Sequence, residues 1–146
     1  DYTEHPFYQK AEKAYQAFLR WTRQREVEFI GSEVSLVESN RQFGGTIDII
    51  AKVDGVLSVI DIKTSSSLCE EYDYQLAAYR YLLEFAQLND QGSAREFSAY
   101  QSNQGLLLRV DKYKGNFEEK IIKDFNKSQE VFFLLLDLWH RRFSAF

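Results

Sequence analysis

The sequence predicts an α/β domain: a mixed sheet with helices on both faces. Two Ile- and Val-rich runs flank Asp54-Gly55 and read as a β-hairpin. Apolar stripes at helical spacing precede and follow it. The predicted order is helix, three strands, helix, strand or strands, helix, which calls for helices layered on one sheet.

The first helix is predicted over Pro6–Arg25. Pro6 suits a first turn, and Ala11, Ala14, Tyr15, Phe18, Trp21 and Thr22 form one stripe. Lys10, Lys13, Arg20 and Arg23 fall on other faces. A solvated helix face is the simpler account of them than phosphate contact. Glu26–Ser39 reads as extended, with Val34 and Leu36 pointing one way and Glu33, Ser35 and Val37 the other. Ser39-Asn40-Arg41 turns the chain into the hairpin.

Asp-Gly is a strong hairpin signal because a type I′ turn needs φ > 0 at both central residues. A two-residue turn sets Val53 against Val56 and, counting outward, Asp48 against Asp61. Two directly opposed carboxylates, with Cβ atoms ~5 Å apart, repel each other. Lys63 shares the face of Asp61, with Thr46 opposite. One countercharge is therefore at hand, and a divalent metal would supply more. Ile47, Ile49, Ala51, Ile60 and Ile62 make a buried second face. Ile50, Leu57 and Val59 add apolar residues to the aspartate face, so the hairpin belongs mid-sheet with the carboxylates near one end.

Thr64–Ser67 is a polar loop. Ser67-Leu68-Cys69-Glu70 fits a capping box for a helix running to about Leu88. Its inward stripe is Leu68, Tyr72, Leu76, Tyr79, Leu83 and Ala86, bordered by Gln75. Asn89–Ser93 is a loop, and Glu96–Gln101 is a strand or an irregular segment. Leu106–Val110 and Phe117–Ile122 are strands paired through Lys114-Gly115-Asn116. The last helix is predicted over Asp124–Phe143, with Phe125, Phe132, Leu135, Leu136, Trp139 and Phe143 inward.

The length, 146 residues, suits one domain over 1–146, and 45% apolar residues exclude a disordered chain. The chain starts at Asp1 and contains no Met, which leaves open further residues upstream. The lone cysteine, Cys69, excludes a disulfide framework or a thiolate metal site, reads as small and buried, and fits a reducing, cytoplasmic setting. The longest apolar run, Val131–Leu136, is six residues, far short of a membrane span. A net charge of −4 argues against a protein that coats nucleic acid electrostatically, but not against an enzyme with an acidic metal site. Lys112, Lys114, Lys120, Lys123 and Lys127 alternate with acidic residues and read as a mixed-charge surface.

Gly45-x-x-Asp48, then Asp61-Ile62-Lys63, then Gln75-x-x-x-Tyr79 resembles the PD-(D/E)XK nuclease superfamily, within it the RecB-like exonuclease branch. The D-x-K triplet carries little by itself; the three motifs in order carry much more. The resemblance implies a restriction-endonuclease-like core: helix, three-stranded antiparallel meander, helix, strand. It implies a nuclease dependent on Mg²⁺ or Mn²⁺, a DNA substrate with RNA left open, and roles in recombination, repair or phage-type replication. Asp48 and Asp61 would ligate the metal with the backbone carbonyl of Ile62. Lys63 would orient or help deprotonate the attacking water, or stabilise the phosphorane. Gln75 and Tyr79, one helical turn apart, would contact substrate or hold the site's geometry. Glu33 is a further candidate ligand, in competition with Glu28 and Glu38. The branch carries a metal-shell histidine on an early helix; here the only early histidine, His5, precedes Pro6 and is not assigned that role. The alternative is a non-catalytic module of the same fold that binds nucleic acid or protein.

Overall fold

The computed structural model describes residues 2–88 and 102–143. Among them six strands form one sheet in the order β4-β1-β2-β3-β5-β6. The strands β1 (Val27–Glu38), β2 (Phe43–Val53) and β3 (Val56–Lys63) make an antiparallel meander. β5 (Gln104–Val110) joins β3 in parallel, and β6 (Phe117–Ile122) pairs antiparallel beyond it. The two-residue β4 (Gln87–Leu88) pairs with β1 at the other edge. The hairpin is thus central. Asp54 and Gly55 take φ of 50° and 81°, as a type I′ turn requires. The ladder runs from Val53–Val56 to Ile49–Ile60 in the register that turn dictates.

Each face buries its own cluster. On one side α1 (Pro6–Gln24) sets Ala17 and Trp21 among Ile49, Ala51, Ile60, Leu106 and Leu108. On the other α2 (Glu70–Phe85) sets Leu76, Ala77, Leu82 and Leu83 among Leu36, Ile50, Val59 and Leu107. Ile47 belongs to the α2 cluster, not to the face of Ile49 that strict alternation predicts. Ile47 and Ile50 lie an odd number of residues apart yet share a face, so the pleat changes sides at Asp48–Ile49. β1 is irregular alongside: Glu33 has a φ of 53°, and the register slips between Phe29 and Gly31. Thr46 accordingly does not face Lys63; its hydroxyl lies 2.9 Å from that of Ser35.

Other elements differ from expectation in instructive ways. The capping box is not formed. Cys69 is the N-cap of α2, its side chain is exposed, and Glu70, Glu71 and Asp73 supply negative charge to the first turn. The helix stops at Phe85, because Ala86 is extended and Gln87–Leu88 pairs with β1. Tyr15 and Ala11 of α1 are exposed. α3 (Asn126–Phe143) buries no residue. It packs against α2 outside the sheet, with Phe132 and Phe133 meeting Phe43 and Tyr81, and leaves Leu135, Trp139 and Phe143 exposed. A helix docked on another helix covers one narrow strip, which is why half of its predicted inward stripe is open. None of the described helices is long and apolar enough to cross a membrane. The predicted Asn89–Ser93 loop and the Glu96–Gln101 segment lie outside the described residues.

Candidate active site

The ladder between β2 and β3 ends one pair short of the aspartates. Asp48 Oδ2 accepts a hydrogen bond from the Ile62 N–H at 2.8 Å, a donor that a continued ladder would direct to the β2 backbone. A side-chain carboxylate here outcompetes the backbone, as short acidic side chains can. Asp48 and Asp61 are therefore not a directly opposed ladder pair. They stand side by side where the strands part, Asp61 still registered against Leu107 of β5.

Asp61 is 3% exposed. Burial pushes its carboxyl above the usual range, the Lys63 ammonium pulls it down, and the neighbouring Asp48 pushes it up again. Lys63 Nζ lies 2.7 Å from Asp61 Oδ2. That ion pair is all the buried oxygen has: no further hydrogen bond reaches it among the described residues. Lys63 also directs a hydrogen to Gln75 Oε1 at 2.6 Å, and Gln75 Nε2 donates to Tyr79 Oη at 2.9 Å. Tyr79 Oη thus accepts from Gln75, and its own proton remains for another acceptor. Burial and the charges of Asp61 and Asp48 raise the Tyr79 pKa, which keeps that proton in place.

Two supports hold this chain of contacts. Gly45 is one: a Cβ there would lie 2.8 Å from Tyr79 Cε1, so only glycine lets the ring settle on β2. Tyr72 is the other, with Lys63 Nζ 4.5 Å from its ring centroid. The sequence marks Tyr72 only as core; its signal is the spacing Tyr72, Gln75, Tyr79, which sets all three on one helix face.

The acidic candidates separate. Glu33 lines a cavity of about 490 Å³ with Asp48, Ile62, Tyr15 and Phe18. The Glu38 carboxylate is buried and accepts from the N–H groups of Asn40 and Arg41, which makes it a turn cap. Glu28 lies 3.7 Å from Lys52 on an exposed strand surface. His5 caps α1, its Nδ1 accepting from the Phe7 N–H at 3.2 Å.

No three His, Cys, Asp or Glu side chains converge as a metal cage among the described residues. Magnesium does not need one: it keeps several waters and takes one or two carboxylates. The residues fit such an ion, because Asp61 Oδ2 is buried without a hydrogen bond and a second carboxylate stands beside it.

The structure is thus a mixed sheet whose central hairpin parts around two carboxylates, with a lysine, a glutamine and a tyrosine gathered beside them. The model of the PD-(D/E)XK nuclease superfamily matches residues 2–145, and the chain belongs to that superfamily. Membership points to nuclease activity on nucleic acid, in a superfamily that typically uses divalent metals. No curated protein matches the sequence.

Proposed function

We propose that this domain is a Mg²⁺- or Mn²⁺-dependent deoxyribonuclease, an exonuclease of the RecB-like branch, serving recombination, repair or phage-type replication inside the cell. The observation that carries the reading is the contact chain Asp61–Lys63–Gln75–Tyr79, with Asp48 beside it and one buried Asp61 oxygen left without a hydrogen bond.

Asp48 and Asp61 would hold the ion, with the Ile62 carbonyl and Glu33 as further ligands. When bound, it supplies Lewis acidity at the phosphate and lowers the pKa of water. Lys63 places a positive charge where phosphoryl oxygens gain negative charge, a contact that strengthens towards the transition state. Gln75 fixes the ammonium by accepting one of its protons. Tyr79 keeps a donor for a substrate oxygen.

The test is incubation of the protein with end-labelled single- and double-stranded DNA, with Mn²⁺, with Mg²⁺ or with EDTA. Progressive release of short products with metal and none with EDTA is the expected result. Internal cuts would replace the exonuclease reading by an endonuclease. No cleavage under any metal would leave the non-catalytic module as the reading.

A further inference from the structure

Immediately after Lys63 the chain enters a second concavity, of about 330 Å³, lined by Thr64, Ser65, Ser66, Arg109, Lys112 and Lys114, with Asp111 and Tyr113. Because β3 and β5 run parallel, their C-terminal ends coincide, and Lys63 is registered against Arg109. Thr64 also lines the cavity that holds Asp48, Glu33 and Ile62. The two concavities therefore share a wall.

We infer that this concavity is a phosphate subsite, which holds the backbone phosphate of a nucleotide flanking the cleaved bond, with Lys112 and Lys114 as its cations. The inference rests on the nuclease reading for its substrate and adds a place for the strand beyond the reacting phosphate.

The turn between β5 and β6 is rigidly mounted. Asp111 Oδ1 accepts from the N–H groups of Tyr113 and Lys114 at 2.7 and 3.1 Å. From α1, Lys13 Nζ donates to the Tyr113 carbonyl at 3.0 Å, and Arg20 donates to the Gly115 carbonyl. Lys10 Nζ sits 5.0 Å from the centroid of the Tyr113 ring. Cations from two elements thus gather about one turn. Arg109 is balanced by Glu118 at 2.8 Å. Among the described residues, neither Lys112 nor Lys114 has a carboxylate within ion-pair distance, and the Lys112 ammonium meets only the Tyr113 ring, at 5.7 Å. Lys120, by contrast, is spent on Asp73 at 2.7 Å. The hydroxyl of Ser65 is committed to the Ser67 carbonyl, whereas Thr64 and Ser66 are exposed and can donate to a phosphate oxygen. The Asp111 carboxylate is drawn on by the Lys114 and Tyr113 N–H groups and by the Arg109 and Lys114 charges, which hold its pKa down. With Arg109, Lys112 and Lys114 against this one acid, the lining keeps a net positive charge beside hydroxyl donors, which suits a phosphodiester and would make binding salt-dependent.

The test compares wild type, K112Q/K114Q and K123Q/K127Q, which carries the same charge change outside this concavity. Binding of a fluorescent single-stranded oligonucleotide is measured in EDTA between about 50 and 200 mM salt, and steady-state cleavage is measured with Mn²⁺. Weaker binding by K112Q/K114Q alone, on the order of tenfold, is expected, with a salt slope shallower by about 0.7 to 1.4, one or two phosphate contacts. In cleavage, KM should rise far more than kcat changes. Wild-type cleavage with unaltered K112Q/K114Q binding overturns the subsite and spares the nuclease reading. Binding that depends on Lys112 and Lys114 in a protein that never cleaves supports the subsite and overturns the nuclease reading. Equal losses in both double variants, or no binding by wild type, overturn the subsite.

Discussion

Asp61→Asn should stabilise the metal-free protein and abolish its response to metal. The wild-type carboxylate is 3% exposed, and one of its oxygens has no hydrogen bond. Its pKa is raised even with Lys63 Nζ at 2.7 Å, so burial and Asp48 together outweigh the ion pair. An amide removes the buried charge and leaves Lys63 with Gln75, the Tyr72 ring and nearby Asp48. The desolvation cost of a buried carboxylate is on the order of several kcal/mol; allowing for the lost pairing with Lys63, a net gain of about 1 kcal/mol remains, about 2–4 °C in Tm. The sign with pH follows from the raised pKa. The folded state holds this proton more tightly than the unfolded chain does, so the penalty is absent at low pH and grows as pH rises through the folded pKa. The Tm difference between variant and wild type should thus vanish in the ordinary carboxylate range and below, and reach its plateau only above the raised pKa of Asp61. Metal at 100 times its Kd should add about 2.7 kcal/mol to wild type and little to the variant. Thermal melts in EDTA and in Mn²⁺, across pH, read both effects. An Asp61→Asn protein less stable than wild type at neutral pH in EDTA, or one with a wild-type Mn²⁺ shift, would refute the reasoning.

Three further outcomes follow from the geometry. Glu33→Gln should weaken Mn²⁺ binding in a calorimetric titration with little change in stability, whereas Glu38→Gln, which removes a buried turn cap, should lower stability by about 1–3 kcal/mol in urea melts; the reverse pattern would exchange the two roles. Gly45→Ala should displace the Tyr79 ring and destabilise the fold by about 1–3 kcal/mol, with cleavage falling further than the loss of folded protein explains. Gln75→Leu should cut the link from Lys63 to Tyr79 and lower kcat while Mn²⁺ affinity holds; a kcat equal to wild type would make Gln75 purely structural.

The hairpin was legible because a two-residue Asp-Gly turn leaves almost no freedom of register, and the observed ladder from Val53–Val56 to Ile49–Ile60 follows it. Asp61, Lys63, Gln75 and Tyr79 do converge, since each lies at a spacing fixed by its own strand or helix. What periodicity could not foresee is a local competition. The Asp48 carboxylate takes the Ile62 N–H, the pleat changes sides, and Ile47 crosses to the α2 face. α3 escaped for another reason: an apolar stripe shows that a helix can be covered, not how much cover its neighbours provide. Likewise Ser67 and Glu70 have capping chemistry, yet α2 starts at the next available position, after Cys69.

Single-turnover cleavage and Mn²⁺ titration on Lys63→Ala distinguish a hydrolytic centre from an ordinary ion pair. Lys63 brings a positive charge to a site that would also hold a cation, so it does not serve to bind metal. Its contribution arises as negative charge develops on the phosphate. Lys63→Ala should lose cleavage on the order of 10²-fold or more, with Mn²⁺ affinity kept or slightly improved. A Lys63→Ala protein that cleaves at the wild-type rate would contradict the hydrolytic centre.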